Sequence, residues 1–222
     1  MRAVRPVVET GYENIVQIRC LLEGITVDNM LNNWITLLPY YMTKWQLDRG
    51  YLVDLFGSTR DEWMAEDLDD WLAPNRIYTG VPEIMNTLIN APNCEVYIVT
   101  TKQARFTETI LKRMAGIDFP IERIFSQTVS GRPKSEVLLD LQNKHPEASS
   151  SSSSRGGGYH FVEDKMSTLD KVEKIPELGT WNLYLVDWGY NTAKERAAAA
   201  ANPRIQLVDV ESFRSITASK SG

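Results

Sequence analysis

Three short stretches carry residues whose types and placement suit phosphate chemistry. "YHFVEDKMSTL", Tyr159 to Leu169, is an apolar run that ends in two adjacent acids, Glu163 and Asp164. Paired carboxylates at a strand end repel each other unless a cation lies near. An oxygen-rich pair suits Mg²⁺, which takes one or two carboxylates and keeps several waters. The same acids also read as helix caps ahead of "KMSTLDKV". "SGRPKSEVLL" puts Pro133 at a first helical position and Lys134 in the first turn. A lysine there opposes the helix dipole, and a cation beside a helix N-terminus makes an anion site. A solvated surface lysine is the plainer alternative. "EVYIVTTK" closes on Thr100 and Thr101. Their hydroxyls and backbone N–H groups suit a phosphate oxygen, or simply a turn.

These residues need a scaffold that gathers strand ends. From "APNRIYTGVPE" onward, short apolar runs alternate with helical patterns. Strands are expected in "EVYIVTT", "IERIFS", "YHFVED", "NLYLVDWG" and "RIQLVDV". Helices are expected in "ARFTETILKRMAGI", closing near Gly116, and in "KSEVLLDLQNKH", "STLDKVEKI" and "AKERAAAAA". Apolar strands separated by helices predict a parallel sheet covered on both faces. In such a sheet, ligands sit beyond the carboxyl ends of the strands, where Thr100, Glu163 and Asp164 fall.

Residues 1–75 differ in character. "TVDNMLNNWITLLPYYM" sets Leu31, Trp34, Ile35 and Leu38 at i, i+3, i+4 and i+7, with Asp28 as N-cap. The pattern continues through Leu52, Leu55, Trp63, Leu68 and Trp71. Four of the six tryptophans, Trp34, Trp45, Trp63 and Trp71, lie here. This predicts a helical module with an aromatic core. The chain therefore divides into a helical unit, 1–75, and an α/β unit, 76–222. Within the second, residues 148–158, "ASSSSSSRGGG", have the composition of a flexible loop.

Strand–Thr, helix-opening Lys and strand–acid–acid, in that order, resemble the haloacid dehalogenase-like (HAD) hydrolase superfamily. "YTGVPEIMNTLI" looks like the family's lead-in to its second strand. "VYIVTTK" resembles its second motif at Thr100, "RPKSEVL" its third at Lys134, and "FVEDKMSTL" its fourth at Glu163 and Asp164. "VDWGYNTAKE" resembles its Trp-Gly-Tyr turn. The wording of "RPVVETGYENI" and "HFVED" looks most like a plant and algal subgroup. The resemblance implies a doubly wound, Rossmann-like parallel sheet with an N-terminal all-helical cap. It also implies a Mg²⁺-dependent phosphatase of a small phosphorylated metabolite. Thr100 would hydrogen-bond the phosphoryl group, Lys134 would offset negative charge, and Asp164, with Glu163 as second acid, would hold Mg²⁺. Where the family often carries a further Asp, this chain has Thr168 and Leu169.

The family attacks with an Asp at the end of its first core strand, in an Asp-x-Asp pattern, and that carboxylate is indispensable for covalent catalysis. Asp67-x-Asp69 sits in helical sequence, and Asp187 and Asp209 follow the fourth motif. The first strand is expected to be absent, which leaves two rows of unpaired backbone groups in the sheet. A truncated form, a non-catalytic HAD-fold binding or interaction protein, and a different fold are the competing accounts. On the HAD-like accounts the chain as given is expected to be inactive, since it retains three supporting groups and no nucleophile.

The bulk numbers narrow the partners. At 222 residues with a net charge of −5, the chain gives no electrostatic reason to expect nucleic acid or an anionic membrane. No apolar run approaches the roughly 20 residues that span a bilayer. Two cysteines, Cys20 and Cys94, are too few for a disulfide framework and suit a reducing compartment, and with the plant and algal resemblance this implies an intracellular one, cytoplasm or chloroplast.

Overall fold

The computed structural model describes residues 2–126, 131–150 and 158–218, and most of the Ser/Gly-rich segment lies outside them. The described chain is a mixed α/β protein with parallel strands. Helices come first: a 3₁₀ segment, Arg2–Val7, then α1 (Glu13–Leu22), α2 (Val27–Lys44), α3 (Arg49–Glu66), α4 (Leu68–Leu72) and α5 (Val81–Ile89). No described strand precedes β1 (Ile98–Thr100). Then follow α6 (Ala104–Ala115), β2 (Ile124–Ser126), α7 (Lys134–Lys144), β3 (His160–Glu163), α8 (Met166–Glu173), β4 (Asn182–Val186), α9 (Ala193–Ala201), β5 (Ile205–Val208) and α10 (Val210–Ala218). Gly116 ends α6 at φ +67°, a left-handed C-terminal position that glycine takes without a Cβ penalty. No described helix is long and apolar enough to cross a membrane.

The helical third packs on a stripe that differs from the sequence expectation. Met30, Trp34 and Tyr41 are the buried residues of α2, while Ile35 is 89% exposed. Thr26, not Asp28, caps this helix, because its Oγ1 accepts from the Asn29 N–H. Trp34 and Trp71 are buried, but Trp63 and Leu55 are exposed. The unforeseen anchor is Glu13, 4% exposed. Its Oε1 accepts from the Thr10 N–H at 2.7 Å and the Thr10 hydroxyl at 2.9 Å. Its Oε2 accepts from Trp34 Nε1 at 2.8 Å. Glu13→Ala strands the buried indole N–H and is expected to cost about 2–3 kcal/mol, read by urea melts. Glu13→Gln should lose less, since one amide oxygen still reaches Trp34.

The α/β strands are parallel, as expected, and fall into two sheets rather than one continuous sheet. β1 pairs with β2 in parallel, Val99 opposite Phe125. β3, β4 and β5 form a second parallel sheet, with Phe161 opposite Leu183 and Leu185 opposite Leu207. β1 and β3 do not pair, so each is an edge strand. Val162 on β3 is accordingly 38% exposed, and β1 is only half-buried. Leu207 on β5, the outer strand, is also exposed.

β4 shows coverage of both faces. Leu183 and Leu185 join a core with Leu169 and Val172 of α8, Leu138 of α7 and Ala199 of α9. Tyr184 and Val186 point the other way, into a cluster with Phe213 and Ile216 of α10. The larger core also takes in Tyr97, Val99 and Phe125 from beside and within the first sheet. α7 packs against β1 and α8, so one helix layer bridges the two sheets. That bridge brings the ends of β1 and β3 to the same cavity.

Candidate functional site

Thr100, Lys134, Glu163 and Asp164 are separated by up to 64 positions, yet all line one cavity of about 260 Å³. β1 delivers Thr100 at its carboxyl end, β3 delivers Glu163, and Lys134 opens α7. Thr100 Oγ1 accepts from the Lys102 N–H at 3.0 Å, which turns the chain sharply after the strand. The N-terminal segment closes one side with Arg5, Val8 and Glu9.

The two acids have different roles. Glu163 is 5% exposed and is the counter-ion of Lys134, with Nζ 2.5 Å from Oε2. Its Oε1 accepts from the N–H groups of Asp164 and Lys165 at 3.0 and 3.1 Å. Burial raises its pKa, while the Lys134 charge pulls it down. Asp164 is held by the loop after β4. Its Oδ2 accepts from the Tyr190 N–H at 3.0 Å, and its carbonyl accepts from Asn191 Nδ2 at 3.0 Å. Asn191 also donates to the Val186 carbonyl and is gripped by Arg196. Hence the "WGYN" turn fixes the acid at the end of β3.

Five cations, Arg5, Lys102, Lys134, Lys165 and Lys171, face three acids, Glu9, Glu163 and Asp164. The balance favours an anion. Lys165 Nζ donates to the Pro6 carbonyl, and burial with Arg5 nearby lowers its pKa. Arg5 lies 4.4 Å over the Tyr190 ring. No family model, curated protein or solved structure matches this chain.

A metal held by protein side chains alone fits poorly. Among the described residues no three His, Cys, Asp or Glu side chains converge. Both Glu163 oxygens are engaged, which leaves Asp164 as the one cavity acid at a strand end with an oxygen to spare. The searched aspartates are elsewhere. Asp67 caps α4, Asp69 faces Arg113 at 3.8 Å, Asp187 is exposed, and Asp209 caps α10 through the Ser212 N–H.

Sequence reasoning missed Arg5, Lys102 and Lys165 as cavity residues. Lys102 had a signal, since it follows "VTT" by one position. Burial, Arg60 and Arg5 lower its pKa from 10.5 to about 8. That value lies below the unfolded one, so the unfolded chain holds the proton more tightly. The resulting penalty is full below about pH 8 and fades as pH rises toward the unfolded pKa. Lys102→Met is therefore expected to raise stability at pH 7 by up to about 3 kcal/mol. The gain should shrink in melts at pH 9.5.

Proposed function

We propose that this chain carries a HAD-like phosphate site for a small phosphorylated metabolite, in a form that binds without turning over. The carrying observation is the convergence of Thr100, Lys134 and Asp164 on one cation-rich cavity. In this reading Thr100 donates its hydroxyl proton to a phosphoryl oxygen. Lys134, already paired with Glu163, supplies positive charge at the helix opening. Asp164, with one carboxylate oxygen that accepts no hydrogen bond among the described residues, adds an acceptor at the cavity. Mg²⁺ would join through Asp164 only with the phosphate present, and alone it should bind at millimolar strength or weaker. No described carboxylate stands ready to attack phosphorus, so no covalent step is assigned.

Calorimetry with inorganic phosphate tests the site. A Kd on the order of 1 mM, weakened at least tenfold by Thr100→Val together with Asp164→Ala, is the expected result. The same protein should not hydrolyse generic phosphate esters with Mg²⁺. Turnover abolished by Asp164→Ala would overturn the nucleophile-free reading, and absence of phosphate binding would overturn the site.

A further inference from the structure

A second cavity, about 430 Å³, lies beside the first and shares Lys102 with it. Ligand pockets run from roughly 300 to 1,000 Å³, so this one can hold a small organic body. Its walls are aromatic: Phe56 and Trp63 from α3 and Trp71 from α4. Its charged groups are both cationic, Arg60 from α3 and Lys102 after β1, beside the neutral Thr59 and Asn75.

Neither cation forms an ion pair among the described residues. The Arg60 guanidinium lies 4.1 Å over Phe56 and 5.3 Å over Phe106. Its charged neighbours are Arg5 and Arg105, both positive. The nearby acid Asp61 is already taken by Arg105, which reaches it at 2.6 and 2.8 Å. Burial without a counter-ion lowers the pKa of Arg60 to about 10 and that of Lys102 to about 8. Unpaired cations in a half-buried aromatic pocket are costly unless something negative completes them.

We propose that this cavity holds the aromatic body of the ligand and that Arg60 and Lys102 bind a carboxylate on it. Guanidinium takes carboxylate in a two-pronged fork, and the aromatic walls reject a fully hydrated anion. The ligand class is then an aromatic carboxylate that also carries a phosphoryl group, spanning both cavities over Lys102. The phosphoryl half rests on the phosphate site proposed above, and the carboxylate half stands on Arg60.

The two halves are tested separately. 4-Methylbenzoate probes the second cavity, inorganic phosphate the first, and 4-carboxybenzyl phosphonate both. Tryptophan fluorescence, with Trp63 and Trp71 in the wall, reads the aromatic probes, and calorimetry reads phosphate. Wild type should bind 4-methylbenzoate, and Arg60→Met, which keeps an apolar chain over Phe56, should weaken it at least tenfold. Lys102→Met should weaken both half-probes. The paired change Lys134→Met with Glu163→Gln should weaken phosphate and leave 4-methylbenzoate within about twofold. The phosphonate should bind more tightly than either half-probe. Failure of wild type to bind 4-methylbenzoate, or binding indifferent to both Arg60→Met and Lys102→Met, would overturn the inference. Arg60-dependent binding of 4-methylbenzoate without any phosphate binding would uphold the carboxylate site and sink the phosphate reading instead.

Discussion

Replacing Lys134 by methionine is expected to cost about 3–5 kcal/mol at pH 7.5, because it leaves the buried Glu163 carboxylate without its counter-ion. The partner is not a surface acid: the Glu163 side chain is 4% exposed, and Lys134 is itself only 14% exposed. The backbone N–H groups of Asp164 and Lys165 still reach Oε1, but they do not cancel a full charge. The pH dependence follows from the direction of the Glu163 shift. Burial sets its folded pKa above the unfolded value, and loss of Lys134 pushes it higher. A group raised on folding keeps its full stability contribution below the unfolded pKa. It loses that contribution as pH climbs through the folded one. The deficit of Lys134→Met should therefore be small near pH 4.5 and widen toward pH 7.5. Adding Glu163→Gln should recover most of it, since a neutral amide needs no counter-ion. Urea melts of the two single variants and the double, at both pH values, give the coupling directly. A deficit that stays flat with pH would mean that the ion pair contributes little and that the lysine stem packs instead.

Much of the α/β part is legible because its signals are local. The strand at "HFVE" and the helix from Lys134 follow from runs of one residue class bounded by turn formers, and the structure places them within a residue or two. The four motif residues also meet, Thr100, Glu163 and Asp164 at strand ends and Lys134 at the opening of the helix that bridges the two sheets. What the sequence concealed is pairing. Two unpaired rows were expected, but which strands would flank the gap, here β1 and β3, is a long-range matter that no window of residues states. The same limit hid the Lys134–Glu163 pair, 29 positions apart. In the helical third, periodicity favoured Ile35, but the face that buries is chosen by neighbouring helices and the N-terminal segment. Glu13 illustrates this, for its partner Trp34 comes from the next helix. Arg60 gave no signal, because an arginine in a polar stretch of α3 reads as solvated until Phe56, Phe106 and Lys102 surround it.

Gly189→Ala is expected to destabilise the protein by about 3–5 kcal/mol and to weaken anion binding at the first cavity. An added Cβ at Gly189 would sit 2.1 Å from the Asp164 Cβ and 3.1 Å from its Cγ and Oδ2. A Cβ is not the far end of a flexible chain, so a rotamer change cannot relieve the contact. Either the loop after β4 withdraws or the end of β3 does. Withdrawal breaks the Tyr190 N–H bond to Asp164 and the Asn191 bond to the Asp164 carbonyl, both 3.0 Å long. Each such bond is worth roughly 1 kcal/mol, added to an overpacking cost of about 1–3 kcal/mol. The functional effect follows from the same contact, since the loop that clashes is the one that aims Asp164. Thermal melts measure the stability loss, and amide shifts of Asp164, Lys165 and Tyr190 report the displacement. Asp164→Ala keeps its own Cβ and should not rescue Gly189→Ala, whereas Asp164→Gly removes the clashing atom and should recover the packing part of the loss. Rescue by both changes alike would show that the carboxylate, rather than the close backbone approach, sets the requirement for glycine at this turn.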